Sequence, residues 1–326
     1  MDGPAVPTPA FAAHDPQDEG RAPVRRRGLR RAPRRMAATV ALLAATGIWG
    51  STFLVTRRSL PGISAASFLT WRFGIAAAVL ILARPGRLRA LTGAERRHGL
   101  ILGLFLGTGF LLQTSGLRQT TAGVSGFLTG TMVILTPLFA AWCFHERVGR
   151  AGWIAVGISA TGIALLLVRG ATLTTGALLT LAGAGCFAGH ITALSRWAMA
   201  HNAYGLTAWS VSVAALMSAA FAGATHSLAR PPTGTAWLAV LYVALAATCI
   251  GFVIQAWAQA ALSAATAAVI MTMEPVFAAV IAAIAGGESI GAAGWTGGAL
   301  VVSAMFLSEL GPRHCCDALA PRIECC

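Results

Sequence analysis

The chain contains no lysine, and it has only 11 acidic residues and 2 tyrosines among its 326 residues. Charged residues make up 11% of the sequence, whereas hydrophobic residues make up 56%. The scarcity of charge and the apolar excess exclude a disordered chain, and they also exclude an ordinary soluble domain. The composition is instead typical of a polytopic membrane protein.

The absence of lysine means that all 24 basic residues are arginine, and the net charge is +13. A strongly basic protein can bind nucleic acid, but here most arginines lie between apolar runs. Charges placed in this way orient membrane helices rather than form a phosphate-binding face. We therefore expect membrane lipid as a partner and no nucleic acid.

Motifs for cofactors and metals are also missing. The sequence contains no Walker-type phosphate-binding loop, which excludes direct drive by ATP. Of the seven cysteines, three lie in apolar runs, where a small hydrophobic side chain is the default interpretation. The other four form pairs at 315–316 and 325–326, in a spacing that matches no familiar zinc site. We expect no cofactor and no metal; for the tail, metal binding and lipidation are the alternatives to an unstructured segment.

The chain does contain long apolar runs, each able to cross a bilayer and separated from the next by a short loop. These ten runs lie at 37–55, 63–83, 99–117, 121–143, 151–168, 175–199, 205–224, 236–259, 264–285 and 292–310. The segment 1–36 is rich in proline and arginine and is expected to be a disordered basic tail. Its prolines and acids argue against a transit peptide, and we expect the first apolar run to be an anchor rather than a removable signal. The segment 311–326 forms the second tail, which carries the paired cysteines.

The distribution of arginine predicts the orientation. If residues 1–36 are cytoplasmic, most arginines fall in cytoplasmic segments, and Arg72 lies within a span. The predicted outer loops then carry Arg57, Arg58, Arg118, Arg169 and Arg230. This bias predicts a multi-pass protein of the plasma (inner) membrane with both termini in the cytoplasm.

The chain also repeats itself. GFLLQ at 109–113 recurs as GFVIQ at 251–255, and the pattern E-x-x-G-x-A-G-W at 146–153 recurs at 288–295. Trp71 and its surroundings are echoed at Trp209. The predicted halves are 37–168 and 175–310, with five spans each. Because five is odd, the second copy must enter the membrane upside down, which predicts an all-α protein of ten transmembrane helices built as two inverted five-helix repeats.

Short motifs throughout the membrane part resemble the EamA-type branch of the drug/metabolite transporter superfamily. They are WGSTF at 49–53, WRF at 71–73, TTA at 120–122, LTPLF at 135–139 and EPVF at 274–277. The resemblance implies a central cavity and no enzymatic activity. It further implies export or exchange of small organic metabolites, amino-acid-like solutes or drugs by alternating access.

Two charges lie near the middle of predicted spans. Glu274 precedes Pro275, which favours a kink, and Arg72 lies ten residues into its span. The repeat matches Arg72 with Ser210 and Glu274 with Thr136, so each charge exists in one half only. Arg72 is either an anchor for an anionic substrate group or a structural tie, and Glu274 is either a proton-coupling carboxylate or half of a permanent ion pair. Burial favours the protonated form of a carboxylate and an adjacent cation favours the charged form, so the sequence leaves both open.

Further polar and aromatic residues in the spans are candidates for the lining of the cavity. Gln113 and Gln255 occupy matched positions and could face each other, although a buried amide is more often a tie between helices. Trp49 and Ser51 lie mid-span in the first run, and His190 matches Ser51 in the second half. An aromatic wall with a few polar groups suits an amphipathic ligand. The predicted substrate-binding residues are Trp49, Ser51, Arg72, Gln113, His190, Gln255 and Glu274.

The alternative to a carrier is an enzyme. An intramembrane serine protease would use Ser125 in a GVSG segment as nucleophile and His190 as base. The ten-span duplication has no place in such enzymes, so the carrier is preferred. Glu146 and Glu288 lie at span ends, where we expect structural roles: capping of the following helix or pairing with arginine.

Overall fold

The computed structural model describes residues 31–144, 150–168, 174–197, 202–259 and 270–310, and all regular structure in these ranges is helical. Residues 1–30, Glu146 and the cysteine-containing tail 311–326 lie outside the described residues. In chain order the α-helices are α1 (Arg31–Ser59), α2 (Ala65–Ala83), α3 (Pro85–Arg89), α4 (Gly93–Leu117), α5 (Ala122–Gly130), α6 (Met132–Phe144), α7 (Arg150–Val168), α8 (Thr175–Trp197), α9 (Ala203–Ala224), α10 (Gly234–Tyr242), α11 (Gly251–Gln259), α12 (Glu274–Ile284) and α13 (Gly291–Leu310).

Within the described ranges, six helical stretches are long and apolar enough to cross a membrane. They are Arg35–Ser59, Ala65–Ala83, Gly93–Leu117, Thr175–Leu194, Ala203–Ala224 and Gly234–Gln255. Shorter apolar helices lie at Ala122–Thr136, Trp153–Leu165, Glu274–Ile284 and Gly291–Leu307, inside the remaining predicted spans. Large apolar side chains such as Leu82 and Ile284 are about four-fifths exposed (78% and 82%), as expected for surfaces that face lipid.

The helices pack through small residues. Helix α4 packs against α8 and α9, α12 against α1 and α5, and α13 against α7. At Gly103 of α4, an added Cβ would lie 2.4 Å from the Cβ of Val213 and 2.7 Å from the carbonyl oxygen of Ser210 in α9. Glycine is therefore required at this crossing, because any side chain would push the two helices apart.

We call the two ends of the bundle the Arg57 side and the Arg96 side, after an arginine that lies at each end. At the Arg57 side, α1, α4, α9 and α12 end, while α2, α5, α8, α10 and α13 begin. At the Arg96 side, α4 and α9 begin, and Trp209 Nε1 donates to the carbonyl oxygen of Arg96. On the Arg57 side, Trp71 Nε1 likewise donates to the carbonyl oxygen of Ala229.

Regular α-helix is interrupted at three places in the middle of the bundle. A π-helical segment, Val243–Ile250, joins α10 to α11, and the Thr248 hydroxyl donates to the Val243 carbonyl five residues earlier. A turn at Thr131 separates α5 from α6. Helix α12 begins at Glu274 with Pro275 in its first turn, after a turn that ends at Met273. The expected kink at Pro275 is thus a helix start, which suits a proline because the first-turn amides need no partner within the helix.

Candidate functional site

A buried arginine lies at the centre of the bundle. Arg72 of α2 is only 4% exposed, and its Nε donates to the Thr248 hydroxyl oxygen at 3.1 Å. Its Cζ lies 4.3 Å from the ring centroid of Phe110 in α4 and 5.1 Å from that of Phe73. The π-helical segment therefore presents a hydroxyl to the guanidinium, and the rings stabilise the cation through their negative faces.

Glu274 supplies the opposite charge. It lies in the first turn of α12, where a carboxylate interacts favourably with the helix dipole. Arg72 and Glu274 interact electrostatically. Among the described residues, however, the ion pair within 4 Å is that of Arg57 and Glu288, and not one between Arg72 and Glu274. The two central charges are neighbours that do not touch.

Trp49 of α1 completes this central group. Its Nε1 donates to the carbonyl oxygen of Ala247 at 2.8 Å, and its ring centroid lies 6.1 Å from that of Phe252. Ala247 immediately precedes Thr248, so one turn of the π-helical segment holds both the indole and the guanidinium. A π-helical turn inside an α-helix is frequently found at a functional site.

The two glutamines contact different partners. Gln113 Nε2 donates to the Thr129 hydroxyl oxygen at 2.9 Å, and Gln255 Nε2 lies 3.8 Å from the Met271 sulfur. Within the described ranges neither contact joins one glutamine to the other. The amide of Gln113 ties α4 to α5, which is the commoner role of a buried amide in a membrane helix.

Ser51 and His190 make contacts with other residues. The Ser51 hydroxyl is 2.7 Å from the Tyr242 hydroxyl at an exposed position, and it also donates to the carbonyl oxygen of Ile48. His190 Nδ1 lies 3.0 Å from the carbonyl oxygen of Leu102. The structure thus brings together Arg72, Glu274 and Trp49 of the seven predicted residues.

The serine protease alternative finds no support. The Ser125 hydroxyl is buried and has no hydrogen-bond partner among the described residues, while the His190 ring is bonded to the backbone of α4. A nucleophilic serine needs a base within hydrogen-bond reach, and these two side chains do not provide that contact.

Glu288 pairs with arginine, as expected, but it caps a different helix from the expected one. Its Oε1 accepts from Arg57 Nη1 at 2.8 Å and from the backbone amide of Ala122 at 2.9 Å. Its Oε2 accepts from the amide of Gly123 at 3.0 Å. The carboxylate therefore caps α5, which lies far earlier in the chain, and not the following helix α13.

One surface depression lies away from the central group. It has a volume of about 440 Å³ and opens on the Arg57 side between the loops at 62–64 and 226–229, beside Arg118. None of the seven predicted residues lines it. Within the described residues, no group of three or more His, Cys, Asp or Glu side chains could hold a metal ion.

The sequence analysis missed Thr248 and Phe110 as members of the central group. Both carried a usable signal. Thr248 is a polar residue in the middle of an apolar run, and Phe110 belongs to the repeated motif at 109–113, of which only the glutamine was singled out. Their partner Arg72 lies far away in the chain, so the contact itself depends on tertiary packing.

Comparisons with known proteins agree with this architecture. The family model described as "EamA-like transporter family" matches twice, at residues 36–168 and 174–310. An uncharacterized transporter of Archaeoglobus fulgidus is 29% identical over 278 residues, which cover 85% of this chain and 87% of that protein. A crystal structure with 22% sequence identity superposes with a TM-score of 0.62 over 84% of this chain and 97% of the other, which shows a shared fold.

Proposed function

Since this chain belongs to the EamA-like transporter family of the drug/metabolite transporter superfamily, we propose that it is a secondary carrier for small organic solutes. It exports or exchanges amino-acid-like metabolites or drugs by alternating access and carries out no chemical reaction. The bundle comprises ten transmembrane helices in two inverted repeats, 37–168 and 175–310, between cytoplasmic tails at 1–36 and 311–326. The Arg57 side faces the outside of the plasma membrane, in keeping with the arginine distribution.

The observation that carries the proposal is the pair of separated central charges. Arg72 and Glu274 are close enough to interact electrostatically but do not form an ion pair. In this proposal a zwitterionic solute binds between them, because its carboxylate neutralises Arg72 while its ammonium group neutralises Glu274. An apolar side chain on that solute packs against Trp49 and Phe110. When the solute leaves, a proton on Glu274 replaces the ammonium group, which makes the proton the coupling ion.

The inverted repeat is supported by equivalent contacts in the two halves. Gln113 contacts the residue sixteen positions later, Thr129, and Gln255 contacts Met271 at the same separation. The matched tryptophans at 71 and 209 each donate to a backbone carbonyl, one on the Arg57 side and one on the Arg96 side. Equivalent contacts on opposite sides are expected if the second half enters the membrane upside down.

The remaining predicted residues have supporting roles in this proposal. Gln113 and Gln255 form the walls on either side of the central group through their ties to neighbouring helices. His190 and Ser51 hold α8 and α1 in position through their hydrogen bonds to Leu102 and Tyr242. Their substitution is expected to change the rate of transport more than the preference for a solute.

The test is solute flux in proteoliposomes under an imposed pH gradient. Neutral amino acids with apolar side chains are compared with their methyl esters, which lack the carboxylate, and with their deaminated acids, which lack the ammonium group. Arg72→Met is expected to abolish the preference for a free carboxylate, and Glu274→Gln is expected to abolish both the preference for an amine and the response to pH. Arg230→Met, at an exposed loop position, is the matched control for loss of a positive charge.

Two outcomes would contradict the proposal. If the folded protein shows no gradient-dependent flux of any solute in the panel, it is not a carrier of this class. If flux occurs but Arg72→Met discriminates among the three solute types as the unchanged protein does, the central charges do not bind the solute.

A further inference from the structure

Three helices from distant parts of the chain meet at the Arg57 side. Glu288, in the turn between α12 and α13, bonds Arg57 of α1 and the first two amides of α5. The third amide, that of Val124, is bonded instead by the Thr121 hydroxyl. The first two amides of α5 are therefore bonded by Glu288, and not by a side chain of α5 or by its cap residue Thr121.

The backbone around Glu288 holds it in this position. Gly287 precedes it with φ of 65°, a left-handed conformation that glycine adopts without strain, and Gly291 follows with φ of 61°. The Glu288 amide donates to the carbonyl oxygen of Ala282, so the turn is bonded back to the end of α12. Arg58 adds a second contact from α1, because its Nη2 donates to the carbonyl oxygen of Ala285.

An apolar layer lies directly below these polar contacts. It forms a small cluster separate from the main core, made of Phe53, Leu54, Leu117, Ala122, Ala278 and Ala282. The helices that supply it are in close contact: a Cβ added to Gly126 of α5 would lie 2.5 Å from the Cβ of Ala278, and one added to Gly50 of α1 would lie 2.6 Å from that of Phe277. The layer therefore seals the bundle between Glu288 and the central charges.

Ser125 supplies an independent observation. It lies one turn into α5, directly after the residues that Glu288 caps, and it is fully buried. Within the part of the chain that the structure describes, its hydroxyl has no hydrogen-bond partner. A buried hydroxyl without a partner costs free energy, and contact with water in another conformation would remove this cost.

We propose that Glu288 is the gating residue of the Arg57 side: its contacts with Arg57 and the α5 amides hold that side closed, and their release admits water and solute to Ser125 and the central site. This inference rests on the proposed carrier function and assigns the residues that open and close one side. The chemistry suits a reversible contact. Arg57 is 40% exposed, so the ion pair is weak enough to break, whereas the bidentate cap of α5 makes the closed geometry specific.

The test measures labelling of Ser125→Cys by a membrane-impermeant maleimide in right-side-out vesicles. The full-length chain is used after its seven native cysteines have been replaced, and solute flux is recorded in parallel with labelling. Labelling is expected to be slow in this background and at least about fivefold faster after Glu288→Gln, which loses the ion pair and part of the helix cap. Arg57→Gln leaves the cap in place and is expected to give a smaller increase.

Two controls accompany the measurement. Leu228→Cys reports orientation, because Leu228 is 58% exposed in a loop whose Ser227 carbonyl accepts from Ser67 on the Arg57 side. Glu146→Gln makes the same change in the matched motif of the first half. With this substitution, Ser125→Cys is expected to be labelled no faster than in the protein that keeps both Glu146 and Glu288. If Glu288→Gln does not fold, Arg57→Gln and Glu288→Asp are measured in its place, and both are expected to speed labelling.

The outcomes separate the gate from the carrier. If flux is present but none of the Glu288 and Arg57 variants speeds labelling, Glu288 is a structural cap, and the gating proposal is overturned while the carrier stands. If Glu146→Gln speeds labelling as much as Glu288→Gln, the effect is not specific to this side, which also overturns the proposal. Faster labelling in a protein without flux would retain the gate and refute the carrier.

Discussion

Thr248 links the central arginine to the π-helical segment, and its replacement tests whether that link matters. Its hydroxyl accepts from Arg72 Nε and donates to the carbonyl oxygen of Val243. Thr248→Val keeps the shape of the side chain but removes both bonds. Thr248→Ser keeps the hydroxyl and removes one methyl group, so it is the matched control.

The expected size of the effect follows from the two bonds. A hydrogen bond to a charged group contributes about 1.5–3 kcal/mol, and a neutral one contributes about 0.5–1.5 kcal/mol. Thr248 is fully buried, so no water replaces the lost partner. Thr248→Val should therefore lower the free energy of unfolding by about 2–4.5 kcal/mol, whereas Thr248→Ser should lower it by about 0.8 kcal/mol, the value for one buried methyl-sized group.

The measurement is unfolding by SDS titration in mixed micelles, with solute flux recorded in parallel. Because the guanidinium loses the group that orients it, Thr248→Val should also raise KM for a solute with a carboxylate, while Thr248→Ser should leave KM close to that of the unchanged protein. Equal unfolding free energies for the two variants would show that the hydroxyl does not support Arg72, and the reasoning would fail.

Other substitutions test the packing around the site by the same titration. Gly103→Ala should cost about 1–3 kcal/mol because its new methyl group would overlap a neighbouring helix, whereas Gly157→Ala meets no atom within 4 Å and should be neutral or stabilise by up to about 1 kcal/mol. Gln113→Leu breaks a hydrogen bond to a buried threonine and should destabilise by about 1 kcal/mol or more, while Gln255→Leu loses only a contact with sulfur and should cost less. Trp49→Phe removes one buried indole hydrogen bond and should lower the free energy of unfolding by about 0.5–1.5 kcal/mol. The fluorescence of this tryptophan is lost with the substitution. Equal costs within either matched pair, or no cost at Trp49, would contradict these assignments.

The helices and the buried charges could be predicted because both depend on local sequence. A long apolar run must be helical in a bilayer, since its backbone groups have no other partners there. A charge in the middle of such a run must point into the bundle, and Arg72 is indeed buried. The proline beside Glu274 predicts a local break, expected as a kink, and the structure has a helix start there.

The partners of these residues could not be predicted, because they depend on which helices meet. Glu288 is expected from the sequence to cap the following helix or to pair with arginine. It does pair with Arg57, but the helix that it caps is α5, 165 positions away at Gly123. Nothing in the local sequence shows which of two helix N-termini a carboxylate will reach. The π-helical segment was missed for a similar reason: Val, Ala, Leu and Thr have no preference for it, and the wider turn is set by Thr248, whose hydroxyl bonds both the backbone and Arg72.

The two predicted repeats differ at the positions of the central charges. This difference shows whether the packing of the helices requires a charge at these positions. Ser210 is the residue matched to Arg72, and Thr136 is the residue matched to Glu274. Each of these two hydroxyls donates to a carbonyl oxygen within its own helix. A serine or threonine bonded in this way needs no partner from another element, so the architecture is stable without a charge at either position. Burying an arginine and a glutamate there costs desolvation energy that a serine and a threonine avoid. Packing alone therefore gives no reason for these two charges, whereas the proposed binding of a charged solute between them would.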